Sequence, residues 1–157
     1  VLKSLDAKLK VSSQNSSKFI PVENSIAGFY QNNLTENEIV KESYVEAVLK
    51  REKEFPTALS TENVSFAIPH TDPEHVNKAA IAVALLKNKV NFTSMENYDQ
   101  EIGVKIVFLL AITNPSKQVK VLQKLIEIMQ NKELVDELLN SEDQSKLVNI
   151  FQKKLRV

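Results

Sequence analysis

The stretch Lys105-Ile106-Val107-Phe108-Leu109-Leu110-Ala111-Ile112 contains an uninterrupted run of strongly apolar residues, and it decides the fold class. The run from Ile106 to Ile112 is far shorter than the roughly 20 residues of a membrane-spanning helix. It suits a strand that is covered on both faces of a sheet. Asn114 and Pro115 follow shortly after it and are typical of a helix start, because Asn caps a helix and Pro fits its first position. The stretch therefore predicts a central buried strand that leads into a helix.

Shorter patterns on both sides of this stretch predict the remaining elements. Apolar or alternating segments predict strands at 7–11, 64–68 and 79–86, with 91–93 in a loop or edge segment. Helical periodicity predicts helices at 22–33 and 41–54, and Pro56 ends the second of these because it offers no N–H group. A helical turn or two at 133–139 and a capping box at 141–144 predict two further helical segments. The order of these elements predicts an α/β fold: a three-layer α/β/α sandwich with a mixed β-sheet flanked by helices on both faces.

The composition limits both the size of the protein and its classes of partner. The 157 residues suit one domain, 1–157, of which the polar segment 12–17 could separate residues 1–18 as a loosely held N-terminal segment. Twenty basic and 20 acidic side chains argue against binding to nucleic acid or to an anionic membrane surface. The absence of cysteine excludes a thiolate nucleophile or ligand. Without a signal-peptide pattern, we expect a cytoplasmic protein with no direct membrane insertion.

Both histidines of the sequence lie between Ala67 and His75. His70 follows a predicted strand and Pro69, which places an exposed imidazole on a stiff loop at the end of a sheet, where ligand sites collect. A neutral imidazole can act there as a base, a metal ligand or a nucleophile. Taken alone, however, a histidine in a loop is more often an ordinary polar surface residue. His70 is therefore a candidate whose role the composition by itself leaves open.

Other site chemistries have weaker support in the sequence. His70, Asp72, Glu74 and His75 offer nitrogen and oxygen ligands, so a metal-dependent hydrolase that uses this loop is one alternative. The helical spacing of two histidines that many zinc sites use is absent. Gly28 and Gly103 are the only glycines, which excludes the usual glycine-rich nucleotide loops. We therefore expect neither a bound metal nor a cofactor.

Two segments in combination resemble a known family. They are Arg51-Glu52-Lys53-Glu54-Phe55-Pro56-Thr57 and Phe66-Ala67-Ile68-Pro69-His70. Together they resemble the enzyme IIA domains of the bacterial sugar phosphotransferase system (PTS), of the fructose/mannitol type. With the continuation Thr71-Asp72-Pro73-Glu74-His75-Val76, the pattern is most similar to the galactitol-type branch. The resemblance covers about residues 41–151.

The resemblance implies a phosphocarrier function. His70 would accept a phosphoryl group from the phosphocarrier protein HPr and pass it to a cysteine of a IIB component, for sugar uptake and phosphorylation through the IIC membrane component. Because IIA does not touch the sugar in this system, the sugar cannot be read from the chain. A second reading of the resemblance is a IIA-like regulatory module of a transcriptional activator or of a nitrogen-PTS-type protein. The first residue, Val1, leaves open whether the chain is free-standing or excised from a longer protein.

The resemblance also implies roles for residues around His70. Arg51 matches the family arginine, whose planar guanidinium fits the oxygens of a phosphoryl group. Mannitol-type members carry a second active-site histidine at the start of the helix after the central strand, where this chain has Gln118. Either Gln118 orients the reacting groups by hydrogen bonding, or His75 takes the place of that histidine. We prefer His75 as the secondary participant.

Overall fold

A five-stranded mixed sheet forms the centre of the protein, whose computed structural model describes residues 9–14, 38–141 and 143–155. The strands are β1 (Leu9–Gln14), β2 (Ala58–Ser60), β3 (Ser65–Ala67), β4 (Ala80–Thr93) and β5 (Glu101–Ala111). They lie in the order β1-β4-β5-β3-β2. β5 pairs antiparallel with β4 and parallel with β3. The carboxyl ends of β3 and β5 therefore lie at the same edge of the sheet.

The described residues form four α-helices, α1 (Tyr44–Glu54), α2 (Pro115–Gln130), α3 (Lys132–Asn140) and α4 (Gln144–Leu155). Asn114 caps α2 as the sequence predicts: its side-chain oxygen accepts a hydrogen bond from the backbone N–H of Ser116 at 3.0 Å. Asn131 caps α3 in the same way through the N–H of Leu134. α2 thus begins at the edge of the sheet where β5 ends.

Two apolar layers cover the sheet, one on each face. On one face, α2, α3 and α4 pack over large side chains that include Phe66 and Phe108. Phe108 makes edge-to-face contacts with Phe66 and with Phe151 of α4, with ring centroids 6.1 and 5.5 Å apart. On the other face, α1 packs over small residues of β4 and β5, and the hydroxyl of its buried Tyr44 donates to the carbonyl oxygen of Leu110 at 2.6 Å. This arrangement confirms the predicted α/β/α sandwich.

Several predicted boundaries are wrong in detail. The segment 91–93, expected in a loop or edge segment, belongs to the long strand β4, because it pairs with 101–103 of β5. Residues 12–14 of the predicted linker belong to β1, which pairs in parallel with β4 through its backbone. β2 was not expected, and α1 begins at Tyr44 instead of residue 41. The predicted helix 22–33 lies outside the described residues.

The start of α4 also differs from its prediction. Asp143, and not Ser141, caps this helix: its carboxylate accepts hydrogen bonds from the N–H groups of Ser145 and Lys146 at 2.9 and 3.3 Å. Ser141 instead follows the end of α3. Over the described ranges, none of the helices has the length and apolar character needed to cross a bilayer.

Candidate active site

His70 lies at the carboxyl edge of the sheet, directly after the short strand β3. Residue 70 bridges to Leu110 of β5 in the parallel sense, and the N–H of Leu110 donates to the carbonyl oxygen of Pro69 at 3.2 Å. These bonds hold the segment around Pro69 against the end of the central strand. His70 retains only 9% of its surface exposure, so the expectation of an imidazole held out on a loop is wrong. The residue is instead seated in the edge of the sheet, with a small part of its surface accessible.

A short hydrogen bond determines which nitrogen of the His70 ring carries the proton. Nδ1 lies 2.7 Å from the backbone carbonyl oxygen of Ile68. A carbonyl oxygen can only accept a hydrogen bond, so Nδ1 must be the donor. In the neutral ring, Nε2 then carries the lone pair. Within the described part of the chain, Nε2 has no hydrogen-bond partner.

The surroundings of His70 favour the neutral ring. Burial lowers the pKa of His70 below its ordinary value of 6.5, because the charged ring is poorly solvated there. The hydrogen bond to Ile68 acts in the opposite direction, the positive charge of Arg51 lowers the pKa further, and the negative charge of Asp72 raises it. Since the net direction is downward, His70 is a neutral imidazole with a free lone pair at pH 7.

Arg51 lies in the last turn of α1 and lines a pocket of about 230 Å³ beside the His70 segment. One guanidinium nitrogen of Arg51 lies 3.7 Å from a carboxylate oxygen of Asp72, and the guanidinium carbon lies 5.5 Å from the centre of the exposed Phe55 ring. Nε of Arg51 is buried and has no hydrogen-bond partner in the described residues. Arg51 therefore has an unused donor and only loosely held partners, which leaves its guanidinium available to bind an oxyanion.

His75 lines the same pocket, from a 3₁₀ turn at Pro73–His75. Its Nδ1 lies 2.8 Å from the hydroxyl oxygen of Ser43, and its Nε2 lies 3.3 Å from a carboxylate oxygen of Glu74. Both ring nitrogens are therefore already engaged, which holds the ring in one orientation. The structure brings Arg51 and His75 together at this pocket, next to the residue that follows His70.

The predicted metal alternative has no assembled ligand set. Over the residues that the structure describes, no three histidine, aspartate or glutamate side chains come close enough together to hold a metal ion. Asp72 faces Arg51 instead, and Glu74 faces His75. The loop 70–75 thus pairs its charges with neighbouring side chains.

Gln118 lies in the first turn of α2 and is half-buried. Because α2 starts shortly after β5 ends, Gln118 lies at the same edge of the sheet as His70. The structure records no hydrogen bond between these two side chains. The fold therefore places Gln118 and His70 at the same edge of the sheet without a hydrogen bond between their side chains.

Two residues of the site were not assigned a role from the sequence. The carboxylate of Glu52 accepts hydrogen bonds from the backbone N–H and the hydroxyl of Thr57 at 2.9 and 2.8 Å. The hydroxyl oxygen of Thr57 in turn accepts from the N–H of Ile68 at 3.2 Å. Burial raises the pKa of Glu52 from 4.5 to about 7, although the bonds from Thr57 act to lower it. Both residues belong to the motif around Arg51, but only the folded chain shows that they reach the His70 segment.

Comparison with known proteins identifies the family to which the chain is similar. Residues 25–154 match the family model described as "Phosphoenolpyruvate-dependent sugar phosphotransferase system, EIIA 2". The chain is also similar to the "PTS system galactitol-specific EIIA component" of Escherichia coli K12. The two are 33% identical over 101 residues, which cover 64% of this chain and 67% of the relative.

Solved structures of low sequence identity share the fold. One is the "complex of enzyme IIAMTL and phosphorylated enzyme IIBMTL" from E. coli, with a TM-score of 0.66, 20% identity, and coverage of 93% of this chain and 99% of the other. Another is "Nitrogen Regulatory Protein IIA-Ntr" from Neisseria meningitidis, with a TM-score of 0.61, 18% identity, and coverage of 97% and 94%. At these identities the likeness establishes the fold alone.

Proposed function

The chain belongs to the EIIA 2 family of the phosphoenolpyruvate-dependent sugar phosphotransferase system, and we propose that Nε2 of its His70 accepts a phosphoryl group from phospho-HPr and passes it to a cysteine of a IIB component. Components of this family transfer phosphoryl groups, and IIA domains partner with IIB. What the proposal adds is the assignment of the acceptor atom and of the residues that assist it.

One observation carries this assignment, namely the bond from Nδ1 of His70 to the carbonyl oxygen of Ile68 at 2.7 Å. A histidine nucleophile needs an unprotonated nitrogen with a free lone pair. The bond places the proton on Nδ1 and leaves the lone pair on Nε2. The lowered pKa of His70 keeps the ring in this neutral form at pH 7. The ring therefore needs neither a base nor a metal to become nucleophilic.

In the proposed transfer, the lone pair of Nε2 forms a bond to the phosphorus atom while the phosphorus–nitrogen bond to the HPr histidine breaks. The electron pair of that bond returns to the HPr ring. The His70 ring gains the positive charge that the HPr ring loses, and no proton has to move. Because Nδ1–H then belongs to a charged ring, its bond to the Ile68 carbonyl becomes charge-assisted and stronger. Ile68 thereby stabilises the phosphorylated form.

Arg51 supports the phosphoryl group in this proposal. The charge of a transferring phosphoryl group spreads over its three equatorial oxygens, so positioning and charge stabilisation supply most of the catalysis. The buried Nε of Arg51 has no partner in the described residues, and the neighbouring guanidinium nitrogen is paired with Asp72 only at 3.7 Å. Arg51 can therefore turn to an incoming oxyanion at little cost.

His75 and Gln118 are proposed as assisting residues. His75 shares the pocket with Arg51, and its ring is held by Ser43 and Glu74. Because its Nε2 faces only the exposed carboxylate of Glu74 at 3.3 Å, His75 could exchange that contact for a phosphoryl oxygen while Nδ1 stays bonded to Ser43. Gln118 lies at the same edge of the sheet but makes no hydrogen bond to His70 in the described structure, so an orienting role for it would require movement on binding of a partner. The site geometry thus favours His75 over Gln118.

The part of the proposal that concerns the transported sugar rests on sequence similarity and not on the geometry of the site. The 33% identity to a galactitol-specific EIIA component favours a galactitol-like uptake system, with IIC taking part only indirectly. A regulatory role stays an alternative prediction, because the likeness to IIA-Ntr extends to the fold alone.

Phosphorylation by purified components tests the proposal. With phosphoenolpyruvate, enzyme I and HPr, we expect the chain to gain the mass of one phosphoryl group, located on His70 by peptide mass spectrometry. His70→Gln should abolish this gain, whereas His75→Gln should slow it without abolishing it. Stoichiometric phosphorylation of His70→Gln would contradict the assignment. Addition of IIB should then discharge the phosphorylated chain.

A further inference from the structure

A continuous chain of hydrogen bonds connects a half-buried carboxylate on α1 to the ring of His70. It starts at Glu52, whose two carboxylate oxygens accept from the N–H and the hydroxyl of Thr57 at 2.9 and 2.8 Å. The Thr57 hydroxyl oxygen accepts from the N–H of Ile68 at 3.2 Å. The carbonyl oxygen of Ile68 accepts from Nδ1 of His70 at 2.7 Å. Among the described residues, Glu52 makes no hydrogen bond or ion pair with His70, so its influence on the ring passes through Thr57 and Ile68.

Each bond in this chain has a defined direction. In its ionised form the carboxylate of Glu52 has no proton to give, so the Thr57 hydroxyl donates to it. The donated proton fixes the orientation of the hydroxyl and directs a lone pair of its oxygen to the N–H of Ile68. Thr57 is 3% exposed and Ile68 1% exposed, so water cannot readily replace these partners. The backbone of Ile68 is therefore held on both sides of its Cα atom, by Thr57 at its N–H and by His70 at its carbonyl oxygen.

We propose that Glu52 is a positioning residue for His70, which acts through Thr57 and Ile68 to fix the carbonyl that keeps the proton on Nδ1 and the lone pair on Nε2. The expected effect on the transfer rate rests on the proposed phosphocarrier function, whereas the expected tautomer of His70 concerns the unphosphorylated protein alone. If the carboxylate is lost, the Thr57 hydroxyl is free to rotate, and its hydrogen bond to the N–H of Ile68 weakens. The Nδ1–H bond then weakens, and the tautomer with the proton on Nε2, which has no lone pair to attack phosphorus, becomes more populated.

The burial of Glu52 is consistent with a role beyond surface charge. A carboxyl group is rarely withdrawn from water without a reason, and burial raises the pKa of Glu52 to about 7. The side chain also belongs to the helix turn that carries Arg51. One turn of α1 thereby supplies both the guanidinium for the phosphoryl group and the carboxylate that fixes the acceptor ring.

The test combines ring NMR with transfer kinetics. The wild-type protein should show His70 with its proton on Nδ1 by nitrogen-15 chemical shifts. Glu52→Gln reverses the donor–acceptor pattern at Thr57, and Thr57→Val removes the hydroxyl. Both should raise the fraction of the Nε2–H tautomer and slow phosphorylation of His70 by about ten- to a hundredfold, the scale of a misplaced reacting group. Thr57→Ser keeps the hydroxyl and should restore both readouts.

Two matched controls separate positioning from general loss of polar groups. Glu46→Gln removes an exposed carboxylate from the same helix, and Thr61→Val removes a hydroxyl that bonds to Val64 and Met129 away from the site. Neither should change the tautomer of His70. If Glu52→Gln fails to fold, Glu52→Asp shortens the side chain and should produce the same shift.

Three results would overturn the inference. One is a wild-type His70 that carries its proton on Nε2. Another is a folded Glu52→Gln or Thr57→Val variant with an unchanged tautomer. The third is a changed tautomer with an unchanged transfer rate. A wild-type protein that cannot be phosphorylated would refute the phosphocarrier function, whereas the NMR comparison would still decide whether Glu52 positions the ring.

Discussion

Replacement of Arg51 should separate transfer rate from stability. In the folded protein Arg51 makes only weak contacts: an ion pair at 3.7 Å to Asp72, whose side chain is 69% exposed, and a cation–π contact to Phe55. Exposed ion pairs contribute at most about 1 kcal/mol, and exposed cation–π contacts about 0.5–1 kcal/mol. We therefore expect Arg51→Ala to lower the free energy of unfolding by less than about 2 kcal/mol.

The effect on phosphoryl transfer should be larger. A hydrogen bond to a charged group contributes about 1.5–3 kcal/mol, which corresponds to about a 10- to 100-fold change in rate. Arg51→Lys keeps the charge but loses the fork of donors, so it should slow transfer from phospho-HPr by that factor. Arg51→Ala loses both the charge and the donors and should slow transfer by about 1,000-fold, the lower end of the range for arginines that stabilise transferring phosphoryl groups.

Rapid-quench measurement of His70 phosphorylation, paired with urea unfolding, makes this comparison directly. Lys50→Ala is the matched control, because Lys50 lines the same pocket next to Arg51 and is itself exposed. Transfer by folded Arg51→Ala within about threefold of wild type would refute the reasoning. An equal loss of rate in Lys50→Ala would show that general positive charge, and not the guanidinium, matters.

Three further predictions concern protonation and packing. His70 should titrate below pH 6.5 by NMR. Because its pKa is lower in the folded than in the unfolded chain, its contribution to the free energy of unfolding should be lost as the pH falls below about 6.5. Glu52 has the opposite effect, because its pKa rises from 4.5 to about 7 on folding. The free energy of unfolding of the wild type should therefore fall by about 3 kcal/mol relative to that of Glu52→Gln as the pH rises from about 4.5 to 7, which urea unfolding across that range measures. An equal pH slope in the two proteins would contradict this. Tyr44→Phe removes the buried 2.6 Å hydrogen bond to the carbonyl oxygen of Leu110 and should lower the free energy of unfolding in urea by about 1–3 kcal/mol. An unchanged free energy of unfolding would contradict this.

The sequence predicted those parts of the fold that depend on local apolar patterning. The run in β5 and the Asn-Pro start of α2 were identified because burial on both faces and capping leave strong local signals. Residues 12–14 and 91–93 were missed because their strands are held by backbone pairing with neighbours that are distant in sequence or lie across a hairpin. Because most of these residues are polar, they lack the apolar alternation from which a strand is predicted.

The sequence predicted which motif residues form the candidate site, but it did not predict how deeply His70 is buried. His70 was a candidate from its position after a predicted strand and Pro69, and the resemblance added Arg51. The two lie close enough for the charge of Arg51 to lower the pKa of His70. The burial of His70 could not be predicted, because it depends on how the segment after β3 packs against the end of β5. The link from Glu52 to His70 is likewise absent from any local pattern, since it joins residues of α1 to the end of a strand.

Phosphorus–nitrogen coupling in the phosphorylated, nitrogen-15-labelled protein tests the central claim most directly. The bond from Nδ1 to the Ile68 carbonyl requires that the phosphoryl group be attached to Nε2 of His70. We therefore expect coupling between the phosphorus and that nitrogen, with Nδ1 still protonated. Coupling to Nδ1 of His70, or to a ring nitrogen of His75, would contradict the account.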